Sequence, residues 1–190
     1  MSLWTKSAAL AAGATLGTVL ALSATPASAD AAGGVVHGVG TWRDDWSDEG
    51  PISANSYAYS NTAAMWQAIL WADKSLKPNG KPMDLSDIDC RFGEQTTYTT
   101  KRWQNRYGGN LEVDGIVGPA TLTEAIDKVD WNGGGEYELV YTGTYGPSWT
   151  DERTGRYVSF VRAADGRWGM YLGNELKTLW YKDATFSQCT

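Results

Sequence analysis

Histidine is nearly missing from this chain: His37 is the only one, and there are just two cysteines, Cys90 and Cys189. A zinc hydrolase needs several His or Cys ligands, and so few metal-binding side chains exclude that class. A cysteine nucleophile needs a free thiol near a histidine. A serine triad would have to recruit His37 from a Gly-rich stretch. Basic residues are also few, 16 Lys and Arg against 22 Asp and Glu. An acidic chain is poorly suited to nucleic acid, which is held by clustered Lys and Arg. Beyond the first residues no apolar run approaches the length of a membrane span. No metal and no cofactor is expected.

What is present begins with an export signal. Lys6 precedes an Ala- and Leu-rich run from Ala8 to Leu22, followed by Ala27-Ser28-Ala29. That pattern predicts a secretory signal peptide over residues 1–29, cleaved after Ala29, and a secreted or wall-associated protein with no membrane contact thereafter. Removing Lys6 leaves 15 basic and 22 acidic residues, a net charge of −7. In an exported chain, two cysteines read as a Cys90–Cys189 disulfide. It would close 99 residues, which the chain-entropy model values at about 4.7 kcal/mol.

One turn-and-helix signature occurs twice. Ile88-Asp89-Cys90-Arg91-Phe92-Gly93 leads to Thr96, and Val113-Asp114-Gly115-Ile116-Val117-Gly118 leads to Thr121. Asp, Gly and Thr recur at a constant offset of 25 residues (89 to 114, 93 to 118, 96 to 121). In each copy Asp suits a tight turn, and Gly115 tolerates positive φ where the first copy has Cys90. Phe92 or Val117 anchors in a core, and a helix starts at Gly93 or Gly118. Pro119 fits the first helical position, and Thr96 and Thr121 could reach back to the cap residue. Asp89, Gly93, Thr96, Asp114, Gly115, Gly118 and Thr121 are therefore structural candidates.

Helical periodicity covers 61–77, through Met65, Ile69, Ala72 and Leu76, then a second helix from Gly93, and a third from Pro119 to about Val129. After Asn132-Gly133-Gly134-Gly135 the period changes to two, and Asp165-Gly166 marks a hairpin. About four antiparallel strands are expected there. The fold expectation is α+β: a small three-helix bundle with an internal repeat, followed by a sheet packed on it. Residues 30–56 read as a flexible or extended segment, 57–130 as the helical domain and 131–190 as the β region. Trp42 and Trp46, set among acids, read as packing residues on the body of the protein. Asp45, Ser47, Glu49 and Gly50 loosely echo a calcium loop, but its last ligand would fall at Ser56.

Trp66-Gln67-Ala68-Ile69-Leu70, Asp89 to Thr96, Trp103-Gln104 and Val113 to Thr121 together resemble the bacterial peptidoglycan-binding domain, over roughly residues 61–129. The resemblance implies a three-helix fold and peptidoglycan, glycan strand or stem peptide, as partner. Tyr98, Arg102, Asn105 and Tyr107, on or just beyond the second helix, are the candidate ligand-binding residues. The leading expectation is a secreted, non-catalytic, monomeric wall-binding protein. A protein-interaction or inhibitor module on the same scaffold is the first alternative. A small glycosidase using a carboxylate pair among Asp44, Asp45, Asp48, Glu49, Asp151 and Glu152 is the second.

Overall fold

The computed structural model describes residues 33–109, 111–131, 138–142 and 156–189. The signal segment lies outside the described residues. Three helices, α1 (Asn61–Ala72), α2 (Glu94–Tyr107) and α3 (Pro119–Ile126), precede five strands. These are β1 (Val129–Trp131), β2 (Glu138–Thr142), β3 (Tyr157–Arg162), β4 (Trp168–Leu172) and β5 (Glu175–Thr178). The strands form one antiparallel sheet in the order β1-β2-β3-β4-β5.

Two features of the expected fold are corrected. The sheet has five strands, not about four, and the helices are not a separate three-helix bundle. The reason for the second lies in α1. All its residues except Trp71 are buried, and it touches α2 on one side and β2 and β3 on another. A helix buried on nearly every side needs cover on every side, and α2 covers one side while the sheet covers another. The extra strand has a local cause. Val129 continues the spacing of Leu122, Ala125 and Ile126, but α3 stops at Ile126 with Asp127 as its cap. Val129 then enters the core opposite Tyr141, as the first residue of β1.

The described part of the segment before α1 is built into the body of the protein. Val36 donates its N–H to Leu179 O (3.0 Å), and Trp168 N–H donates to Val36 O (2.9 Å). Gly38 N–H bonds Gly166 O across the Asp165–Gly166 turn (3.0 Å). Farther on, Ile52 and Val117 exchange both backbone hydrogen bonds, each 2.9 Å. Trp46 is fully buried, with Phe160 and Trp168 edge-on at 5.2 Å. The segment therefore fastens the second repeat turn to the sheet through one continuous core.

The repeat is realised as two equivalent brackets. In the first, the Gln67 side-chain amide donates to Asp89 Oδ1 (2.7 Å), Arg91 O (3.1 Å) and Thr96 Oγ1 (3.2 Å), and Gln67 Oε1 accepts Cys90 N–H (2.9 Å). In the second, Gln104 donates to Asp114 Oδ1 (3.1 Å), Ile116 O (2.9 Å) and Thr121 Oγ1 (3.2 Å), and accepts Gly115 N–H (2.9 Å). Asp89 and Asp114 each take the N–H two residues on, from Arg91 and Ile116. Cys90 and Gly115 hold positive φ, 64° and 79°. Gly93 and Gly118 cap α2 and α3 as expected, with Pro119 at the first turn. The threonines do not reach back to the cap residue. Thr96 Oγ1 instead donates to Arg91 O (3.4 Å), because the glutamine amide already holds the hydroxyl.

Cys90 and Cys189 are joined, with Cα atoms 5.2 Å apart. The last turn of the chain, Ser187–Cys189, is thereby tied to the first bracket. Tyr59 Oη donates to Cys189 O, and Gln188 Nε2 to Ile88 O (2.6 Å).

Candidate functional site

Of the four predicted ligand residues, the structure groups three. Tyr98, Arg102 and Asn105 stand four and three residues apart on α2, so they share its outer face. All three are exposed, Tyr98 at 39%. The Arg102 guanidinium lies 6.0 Å from the Tyr98 ring centre, with Nη1 3.4 Å from the hydroxyl. Together they offer an aromatic face, a fork of donors and an amide. The helix that carries them is held at both ends. The first bracket grips its start through Thr96, and Gln104 near its other end reaches into the second.

Tyr107 does not join them. Its hydroxyl donates to Asp73 Oδ1 (2.9 Å), its ring tilts against Trp103 at 4.4 Å, and Lys128 Nζ lies 4.1 Å over it. Asp73, the cap of α1, is buried and also receives Trp103 Nε1–H and Tyr141 Oη–H, the latter at 2.6 Å. Three aromatic donors from α2, its end and β2 thus converge on one carboxylate, and Tyr107 serves the helix–sheet joint. Burial, followed by the nearby Asp73 charge, pushes the Tyr141 phenol well above its usual range.

Two more carboxylates are buried, and both are structural. Asp45 accepts Trp168 Nε1–H (2.8 Å) and pairs with Arg162, Nε to Oδ2 at 2.6 Å. Burial raises its pKa above the usual carboxylate value, and the Trp168 and Arg162 contacts offset only part of that. Glu49 accepts Tyr181 Oη–H (2.6 Å) and His37 N–H (2.8 Å). Burial and the adjoining Glu49 push the Tyr181 phenol far up. Asp45 and Glu49, drawn into the loose calcium echo, therefore face different donors inside the protein. No group of three or more His, Cys, Asp or Glu suited to a metal is found among the described residues. Asp44 and Asp48 are exposed; Asp151 and Glu152 lie outside the described residues. His37 has its ring Nε2 2.9 Å from Asp165 O, beside the hairpin turn.

Two open clefts carry no signal that sequence reasoning picks up. The first, about 440 Å³, is lined by Trp42, Arg43, Trp131, Leu139 and Arg162. The second, about 460 Å³, opens between α1 and the sheet, where β3 and β4 pair only over Phe160–Arg162 with Met170–Trp168. Trp71, Leu85, Tyr157 and Tyr171 line it. Trp42 packs against the core as expected and is half-buried. Trp131 stands at the end of β1, immediately before the Gly-rich boundary.

Comparison of the chain with protein-family models, with curated proteins and with solved structures gives no match in any of the three.

Proposed function

We propose that this is an exported, non-catalytic protein that binds bacterial peptidoglycan through the outer face of α2. The observation that carries the reading is the Tyr98–Arg102–Asn105 row on a helix bracketed at both ends. A side-chain row held on a fixed helix needs little further ordering to bind, which favours affinity. Of the motif residues behind the peptidoglycan-binding resemblance, Gln67, Asp89, Thr96, Gln104, Asp114, Gly115 and Thr121 enter the two brackets. Export is supported by the Cys90–Cys189 disulfide. Among the described residues no helix is long and apolar enough to cross a membrane. The acidic balance of the chain disfavours binding to anionic wall polymers by charge, so stacking and hydrogen bonds carry the recognition.

The test is co-sedimentation with insoluble peptidoglycan stripped of teichoic acids, at moderate and high salt, with turbidity followed in parallel. Salt-resistant retention without clearing is the expected result, since such contacts are little screened. Clearing would point to the carboxylate hydrolase instead.

A second reading has an observation of its own. The cleft lined by Trp71, Leu85, Tyr157 and Tyr171 draws residues from both the helical and the β portions. An aromatic patch of that kind suits a protein partner. Loss of retention on peptidoglycan would favour this reading.

A further inference from the structure

We infer that the Trp42–Trp131 cleft is a second binding site, separate from the α2 face, and that its ligand is a chain of neutral hexopyranose units. Its two indoles come from the segment before α1 and from β1, far apart in sequence. Trp131 is 58% exposed. A single exposed aromatic needs no explanation, but Trp131 shares its cleft with Trp42 and the buried Leu139, so its ring is the stacking surface and Trp42, covered by Arg43, belongs to the edge. The cleft volume, about 440 Å³, falls within the roughly 300–1,000 Å³ of small-ligand sites. A pyranose offers an apolar C–H face to an indole and a rim of hydroxyls to polar groups.

The polar edge selects among sugars. The Arg43 guanidinium carbon lies 4.3 Å over the Trp42 ring, and its Nη2 is 3.8 Å from Asp130 Oδ1. Both side chains are about half exposed, 57% and 52%. A pair this long and open holds itself weakly. It therefore presents donors and acceptors side by side, as a vicinal diol requires. Arg162, also in the lining, is already neutralised by Asp45 and donates to Gly40 O (3.3 Å). Arg43 and Arg162 are thus matched by Asp130 and Asp45, and the whole chain is at −6. A uronate or sulfated glycan would meet a balanced edge inside a repelling field, whereas a neutral sugar loses nothing there.

The test titrates the protein with cellotetraose, with the β-1,4-linked N-acetylglucosamine tetramer and with tetragalacturonate, by calorimetry and tryptophan fluorescence. Saturable binding of at least one neutral tetramer is expected, with tetragalacturonate weaker by about tenfold or more. Trp131→Ala should raise Kd about tenfold or more, while Trp131→Phe, which keeps a ring, should lose less. Asp130→Asn, on the exposed edge, should narrow the gap between neutral and uronate tetramers by leaving Arg43 uncompensated. Tyr98→Ala with Arg102→Ala should leave the affinity for cellotetraose, which is not a fragment of peptidoglycan, unchanged, so failure here is distinct from failure on peptidoglycan. The inference is overturned by no saturation up to about 10 mM, by an unchanged Kd in Trp131→Ala, or by equal affinity for the uronate.

Discussion

Gln104→Glu is close to isosteric and changes little besides one hydrogen-bonding group. The new side chain keeps an oxygen for Gly115 N–H but turns a second oxygen toward Asp114 Oδ1, Ile116 O and Thr121 Oγ1. Those contacts are 3.1, 2.9 and 3.2 Å in the native bracket. Each lost amide hydrogen bond removes about 0.5–1.5 kcal/mol. Two carboxylates about 3 Å apart repel by about 5 kcal/mol at an effective dielectric of 20, a ceiling that proton uptake lowers. A loss of about 3–5 kcal/mol at neutral pH follows, which moves a urea midpoint by roughly 2 M at an unchanged slope. Protonating the introduced carboxylate restores a donor, so the deficit against wild type should shrink as pH falls toward about 5. Equilibrium urea unfolding at several pH values reads both effects. A neutral-pH loss within about 0.5 kcal/mol, or a deficit that does not shrink with acid, would refute the bracket as a determinant of the fold.

Three further outcomes are expected. Gly38→Ala should destabilise severely, because a Cβ there would stand 1.8 Å from Asp45 Cγ; thermal unfolding should show a loss of about 2 kcal/mol or more. With Cys189→Ser as background, Cys90→Gly should be more stable than Cys90→Ala by about 1–2 kcal/mol, since position 90 sits at φ 64°; equal midpoints would count against a left-handed turn there. Burial raises the Asp87 pKa, but the hydrogen bonds from Lys77, Asp84 N–H and Gln95 outweigh it and hold it below the usual value. Its stabilisation is therefore present above the unfolded pKa, about 3.9, and is lost as pH falls through the lower folded value. Asp87→Asn should remove that part of the acid limb in urea midpoints taken between about pH 5 and pH 2, and an unaltered limb would contradict the assignment.

The two turns were legible because they rest on local chemistry: an Asx contact, a positive φ and a glycine at a helix start, all within nine residues. What closes each bracket was not. Gln67 lies 22 residues before Asp89, while Gln104 precedes Asp114 by only 10. The glutamines thus break the 25-residue period that exposes the rest. The limits of α3 were obscured because Val129 satisfies a helical and an alternating pattern at once. Tyr107 resembles a surface residue in sequence because Asp73, its partner, is 34 residues away. The Trp42–Trp131 cleft depends wholly on a long-range meeting of the first segment with the sheet edge. No spacing in the sequence encodes that. The disulfide needed only composition and count, which is why Cys90–Cys189 was accessible from the sequence.

Binding through α2 is decided by co-sedimentation of wild-type protein and of the Tyr98→Ala/Arg102→Ala variant with teichoic-acid-free peptidoglycan, across a salt series. Both side chains are exposed, so the variant should keep the wild-type stability within about 0.5 kcal/mol. Salt-resistant retention of the wild type is expected, with at least about tenfold weaker retention of the variant. Equal retention of the two proteins, or no retention of the wild type at micromolar concentration, would contradict a peptidoglycan site on that helix.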